Sequence, residues 1–389
     1  MSYDSNASRR SFLRHLGFIG AGSMLGTTFL TSCSGDTPAV SITTLRKFAT
    51  GTLDIGEVGW KQLLDELNIE LRFEDNGNDT GPVIANMISG SAAREYDIGG
   101  LQGGAEPELA AAGVILPWDL SKIPNYAGLW SWIKDIPHTQ YQGKTYGLPI
   151  VVNADSMIYL PEFTGEIDSY AAVFDPAFKG RASMEDAWIN SVIFTAIFLK
   201  ESGEFPIDNP GDLSEDELAN VMEFLIRKKE DGQFKTFWRG WEQGLRLITS
   251  KEVHVMTGWE PIVYAAQDAG VDARYAVPKE GYEGWSNDLI LHTGARNRGV
   301  VEAAHQLANW ELSGFYGAML ARERGYVVPN DGAVSYAQNS PDFDVNKQRE
   351  IIEHVKGKFQ SQPDKVYWQN VRPRNFQSYE DWWSKLRNS

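Results

Sequence analysis

Short apolar alternations and helical apolar stripes succeed one another along residues 41–389. Ile69, Leu71 and Phe73 alternate with polar positions and predict a strand, directly after a helical run from Trp60 to Leu67. Ser214 and Glu217 have the spacing of a capping box, and Leu218, Val221, Met222 and Leu225 then share one helical face. Val253 and Val255 predict a strand ending at Gly258, Tyr275 and Val277 another, and Leu289 to Leu291 a third. Val300, Ala303, Ala304 and Leu307 predict a further amphipathic helix. Strands alternating with helices give an α/β protein. No internal repeat or low-complexity tract interrupts the pattern.

The net charge narrows the partners. With 36 Lys and Arg against 52 Asp and Glu, the formal charge is −16. That argues against nucleic acid and anionic membrane surfaces, which need clustered cations. One cysteine, Cys33, excludes an internal disulfide framework and a cysteine-built metal site. Trp 13, Tyr 15 and Phe 18 supply a large core, or walls for a stacking pocket.

The first 32 residues do not read as part of the fold. Ser8-Arg9-Arg10-Ser11-Phe12-Leu13-Arg14 has the form of a twin-arginine (Tat) export signal, followed by an uncharged stretch from Leu16 to Ser32. Leu30-Thr31-Ser32-Cys33 resembles a bacterial lipobox, with Cys33 as the lipidated residue. The expectation is a signal over 1–32, a tether over 33–40 and a lipid-anchored protein of the periplasm or cell envelope. Cleavage before Cys33 removes three cations and one anion, taking the charge from −16 to −18.

Signatures of catalysis are missing from the sequence. The six histidines are scattered with no His-Glu-x-x-His spacing, and there is no Gly-x-Ser-x-Gly elbow or phosphate-cradling Gly-x-x-x-x-Gly-Lys motif. Accidental carboxylate pairs are expected among so many acids. The reading is therefore not an enzyme, with no cofactor and no metal.

Five segments in order carry a resemblance. They are Asp175-Pro176-Ala177-Phe178-Lys179-Gly180-Arg181, the Trp259-Glu260-Pro261 helix start, Val277-Pro278 through Gly284-Trp285 to Gly294-Ala295-Arg296-Asn297, Gly325-Tyr326-Val327-Val328-Pro329-Asn330, and Tyr379-Glu380-Asp381-Trp382-Trp383. Together they resemble bacterial extracellular solute-binding proteins, in particular the spermidine/putrescine-binding subfamily, from about Thr44 to the C-terminus. The resemblance implies a two-lobed periplasmic-binding-protein fold of type II. Lobe one would comprise 41–150 plus 284–330, and lobe two 151–283 plus 331–389, the chain crossing after Tyr146-Gly147-Leu148-Pro149. It further implies a monomeric receptor that captures a small amine, polyamine by default, in the cleft and delivers it to an ABC permease.

A polyamine site needs aromatic faces over the methylenes and carboxylates on the ammonium groups. By resemblance Trp259 and Trp285 are the aromatic walls and Asp186 an ammonium anchor. Several positions depart from the subfamily pattern. Ile189 stands where a second acid is expected, Trp285-Ser286-Asn287 replaces Trp-x-Asp with an acid only at Asp288, and Ala49, Thr52 and Gly104 stand where aromatic cage residues are usual. Asn153, Asp155 and Glu260 are candidate replacement anchors. A different small solute, such as an amino-acid conjugate, sugar derivative or phosphonate, is the alternative, with a secreted hydrolase or lyase a more distant one. Arg46, Arg94 or Arg239 pointing into the cleft would favour an anion; carboxylates without such partners favour an amine.

Overall fold

The computed structural model describes residues 41–389 apart from 78–79, 103, 135 and 370–372. The twin-arginine segment, the lipobox and Cys33 therefore lie outside the described residues. Helices and strands alternate as the pattern predicts. The run at Trp60 belongs to helix Gly56–Leu67, which Asn68 ends in the left-handed conformation before strand Ile69–Asp75. The capping box forms at the start of helix Glu215–Glu230. Val277 lies beyond the short strand Arg274–Tyr275 and is exposed, and Leu289 to Leu291 is the tail of a much longer strand, Tyr282–His292.

One hydrogen-bonded path of strands runs through the molecule: Ile69–Asp75, Thr43–Ala49, Ile98–Gln102, Tyr282–His292, Gly147–Tyr159, Val255–Gly258, Ala182–Glu185 and Phe234–Trp238. The three strands at one end pair in parallel, as do the last three at the other. Between them lie the two long strands, antiparallel to each other and buried along their whole length. Gly147–Tyr159 changes partners midway. Its residues up to Asp155 pair with Tyr282–His292, and Ser156 to Tyr159 pair with Val255–Gly258. Asp155 thus sits where the chain passes from one end of the sheet to the other.

Separate apolar cores cover the two ends. One contains Leu45, Ile98, Leu148, Leu291 and Leu320; the other contains Met157, Met184, Phe194, Leu218 and Trp383. The C-terminal region divides between them. Ile351, Ile352, Val355 and Phe359 of helix Val345–Ser361 join the first core, while Tyr379, Trp383 and Leu386 of Phe376–Asn388 join the second. The expected assignment of all of 331–389 to the second lobe therefore does not describe the packing of helix Val345–Ser361, whose apolar face is complementary to the first core. Among the described residues no helix is long and apolar enough to cross a membrane.

Candidate functional site

Parallel strands of an open α/β sheet leave their carboxyl ends free to build a site in the loops beyond them. A cleft of about 700 Å³, its open mouth included, lies at those ends. Thr50 and Thr52 follow strand Thr43–Ala49, Asn76 follows Ile69–Asp75, and Gln102 closes Ile98–Gln102. From the other end come Glu185, the last residue of Ala182–Glu185, and Trp259, the first beyond Val255–Gly258. Asp155, Trp285 and Asn287 enter from the two long strands, and Tyr326 and Ile189 complete the wall.

Four expected site residues line this cleft: Trp259, Trp285, Asp155 and Asn287. The Trp285 indole N–H donates to Asp155 Oδ2 at 2.8 Å, and the Tyr275 hydroxyl lies 3.2 Å from Asp155 Oδ1. Tyr326 meets the Trp285 ring edge-on at 5.3 Å between centroids, and Trp238 supports Trp259 in the same way at 5.0 Å. Edge-to-face pairs fix ring orientation. The walls are therefore held in place before any solute arrives.

Asp186 does not line the cleft. It faces a neighbouring hollow, where its carboxylate accepts from Arg387 Nε at 2.8 Å and Trp383 Nε1 at 3.0 Å and pairs with Arg239. Its neighbour Glu185, the last residue of the strand, borders that hollow too but also reaches the cleft wall, which Asp186 does not. Glu185 Oε2 accepts from Asn190 Nδ2 at 2.8 Å and the carboxylate is also hydrogen-bonded to Trp259.

Glu260 is buried behind the cleft as the first residue of helix Glu260–Asp268. Lys358 Nζ and His354 Nε2 each approach its carboxylate to 2.6 Å. Burial pushes its carboxyl up, but Lys358 and His354 outweigh that and hold it down at about 2. Asn153 accepts from the same Lys358 at 3.0 Å, so it too is occupied within the fold. Asp288 lies past an irregularity in strand pairing between Asn287 and Asp288, and pairs with His138 at 3.0 Å instead of facing the cleft. Of the subfamily departures, Thr52 and Ile189 line the cleft, Ala49 is buried behind it, and the Gly104 N–H donates to Glu106 at 2.7 Å.

The cleft carboxyls are electrostatically unusual. Burial pushes Asp155 up to about 7, against the pull of Lys358 and its two hydrogen-bond donors. Burial and the charge of Asp155 push Glu185 up to about 8. Glu283, opposite Asp155 in the strand pairing, is fully buried with neither carboxylate oxygen partnered among the described residues, and burial with the two neighbouring acids raises it well above the usual range. No described residue lining the cleft is a Lys, Arg or His. Arg46 instead lies in a separate hollow with Arg72, Arg94 donates to Ser91, and Arg239 is committed to Asp186. Among the described residues no group of His, Cys, Asp and Glu is arranged to hold a metal ion.

A family model described as bacterial extracellular solute-binding protein matches residues 66–349. The chain belongs to that family. Solved structures agree on the two-lobed periplasmic-binding-protein fold. A Listeria monocytogenes protein described as a spermidine/putrescine ABC transporter is 18% identical, with a TM-score of 0.72 over 89% of this chain and 99% of that one. The Streptococcus pneumoniae spermidine/putrescine substrate-binding protein PotD, in complex with calcium and HEPES, is 13% identical, with a TM-score of 0.68 over 89% and 99%. The binding protein MotA of A. tumefaciens, in complex with glucopine, is 16% identical, with a TM-score of 0.65 over 89% and 100%. At these identities the likeness speaks for the fold. This protein is thus an extracellular solute-binding protein built on the two-lobed fold.

Proposed function

We propose that this solute-binding protein captures a small cationic amine in the cleft between its lobes and delivers it to an ABC permease. The observation that carries the reading is that Asp155 and Glu185, two buried carboxyls with raised pKa, line one cleft with Trp259 and Trp285, with no cation among its described lining residues. A buried carboxylate lacking a counterion is costly, and an ammonium group supplies the missing charge. The indole faces cover a methylene stem and attract the cation. An anionic solute would meet the same acids with no cation to offset them, which favours the amine over a phosphonate. Polyamine transport is a property of the Listeria and pneumococcal relatives as described, and polyamines are the natural first probes. The lobes close about the long strands, and closure forms the surface offered to the permease. The same reading has residues 1–32 removed after twin-arginine export and Cys33 lipid-anchored, with the receptor acting as a monomer and without catalysis.

Thermal unfolding against a panel of amines, neutral sugars, amino acids and phosphonates tests the solute class. A ligand bound only by the folded state stabilises it by about 2.7 kcal/mol at a hundredfold excess over Kd. Amines should raise the midpoint by several degrees, and Glu185→Gln should reduce that rise. Equal shifts from neutral and cationic analogues would remove the reading.

A further inference from the structure

The two ends of the cleft differ in chemistry. Its acids, Asp155 and Glu185, are gathered at one end with Trp259. At the other end the described polar lining residues are Thr50, Thr52, Asn76, Gln102 and Asn287, all uncharged. Asn287 is buried, lies on the cleft wall, and its Oδ1 has no hydrogen-bond partner among the described residues. A buried acceptor left without a donor costs free energy. The nearest acid along the strand, Asp288, turns away to His138.

The strand sets the distance between the ends. Glu283, which faces Asp155 across the strand pair, is four residues before Asn287. At roughly 3.3 Å per residue this is about 13 Å, and a hydrogen bond of ~3 Å at each end leaves room for a chain of about five carbons. Glu283, Trp285 and Asn287 alternate along one face, so Trp285 lies over the middle of that path.

We propose that the solute carries a single cationic amine, held at Asp155 and Glu185, and at its far end an uncharged donor group, a hydroxyl or a carboxamide, given to Asn287 Oδ1. The proposal rests on the reading of the cleft as an amine site and refines it. A second ammonium at the Asn287 end would be desolvated with no carboxylate on the described wall to receive it. A carboxylate there would meet no cation and an unpartnered acceptor oxygen. A hydroxyl or amide N–H satisfies the oxygen without burying an ion, and Gln102, paired with Asn287 on the adjoining strand, is placed to complement its remaining polar atom.

A five-carbon series isolates the far end while keeping the amine constant. Calorimetric titration with 5-aminopentan-1-ol, 5-aminopentanamide, 1,5-diaminopentane, 5-aminopentanoate and pentylamine is compared with titration of pentane-1,5-diol, which has no amine. The alcohol and the amide should bind at least tenfold more tightly than the diamine, the amino acid and pentylamine. Asn287→Leu should abolish the advantage over pentylamine, and Asn287→Asp should turn the preference toward the diamine. Gln102→Glu places the same charge on the adjoining strand should the Asn287 variants not fold. A diamine that binds wild type as well as the amino alcohol overturns this proposal and leaves the amine reading standing. Pentane-1,5-diol binding as well as the amino alcohol overturns the amine reading, and binding by none of the series at millimolar concentration overturns both.

Discussion

Replacing Glu185 by Gln removes one ionisable group from the cleft wall while nearly preserving its shape, and the consequence for ligand-free stability can be worked through. The carboxyl titrates near 4.5 in the unfolded chain and at about 8 in the folded one, because burial and Asp155 disfavour its charge. Between those values the folded state holds a proton that the unfolded state has lost. Unfolding therefore becomes easier as pH rises from 4.5 to 8, and the contribution is level outside that window. At 1.36 kcal/mol per pH unit the full effect is ~5 kcal/mol. Gln carries no such dependence. It keeps one acceptor for Asn190 or Trp259 and loses the other, a cost of about 1 kcal/mol at every pH. Urea unfolding from pH 4 to pH 9 should find wild type and Glu185→Gln similar at the acid end, with the variant more stable by several kcal/mol at the alkaline end. Asp155→Asn should move the wild-type transition to lower pH, since the Asp155 charge is, after burial, the larger of the causes that raise the carboxyl. A stability difference independent of pH, or wild type gaining on the variant as pH rises, would refute the account of the cleft as a site of uncompensated acids.

Lys358→Met leaves Glu260 and its neighbours without their buried cation, and chemical denaturation should show a loss of about 3–5 kcal/mol. Glu260 itself has its folded pKa depressed to about 2, so its contribution is complete above pH 4.5 and is lost as pH falls toward 2; a Glu260→Gln variant should lack that acid limb in the same titration. Small-angle scattering of the protein saturated with its amine should give a smaller radius of gyration than the ligand-free protein, and no change at saturation would argue against lobe closure. Replacing Arg9 and Arg10 together by Lys should leave unprocessed precursor in the cytoplasm, and Cys33→Ala should abolish lipid labelling while the cleft still binds its solute.

The α/β class was legible because periodicity is local, whereas the two aromatic walls were placed by the resemblance of their segments to the family; Trp259 follows a strand end and Trp285 lies inside strand Tyr282–His292. Asp155 and Asn287 likewise came from comparison with the family pattern, as a replacement anchor and a departure. Choosing between Asp186 and Glu185 required knowing where strand Ala182–Glu185 ends, and an error of one residue moves a side chain to the other face. Asp288 was misjudged through a comparable local feature, the pairing irregularity that turns it toward His138. Glu260 was beyond local reasoning altogether, since its partner Lys358 is 98 positions away. Tyr326 stood within a recognisable segment, but only the packing shows its ring against Trp285.

These misjudged positions share a physical logic that bears on how the receptor works. The three misjudged acids have partners: Asp186 has two arginines, Glu260 has Lys358 and His354, and Asp288 has His138. Asp155 and Glu185, which face the cleft, have only neutral hydrogen-bond donors and each other, with Lys358 acting on Asp155 from behind. Asp155 stands on the strand that passes between the lobes, and Glu185 on a strand of the second core. An ammonium between them replaces repulsion by attraction across the closing parts, and it does so only when both carboxyls can reach it. The proposed solute therefore favours the closed form more than the open one. That difference in affinity is what any ligand must supply in order to drive a conformational change.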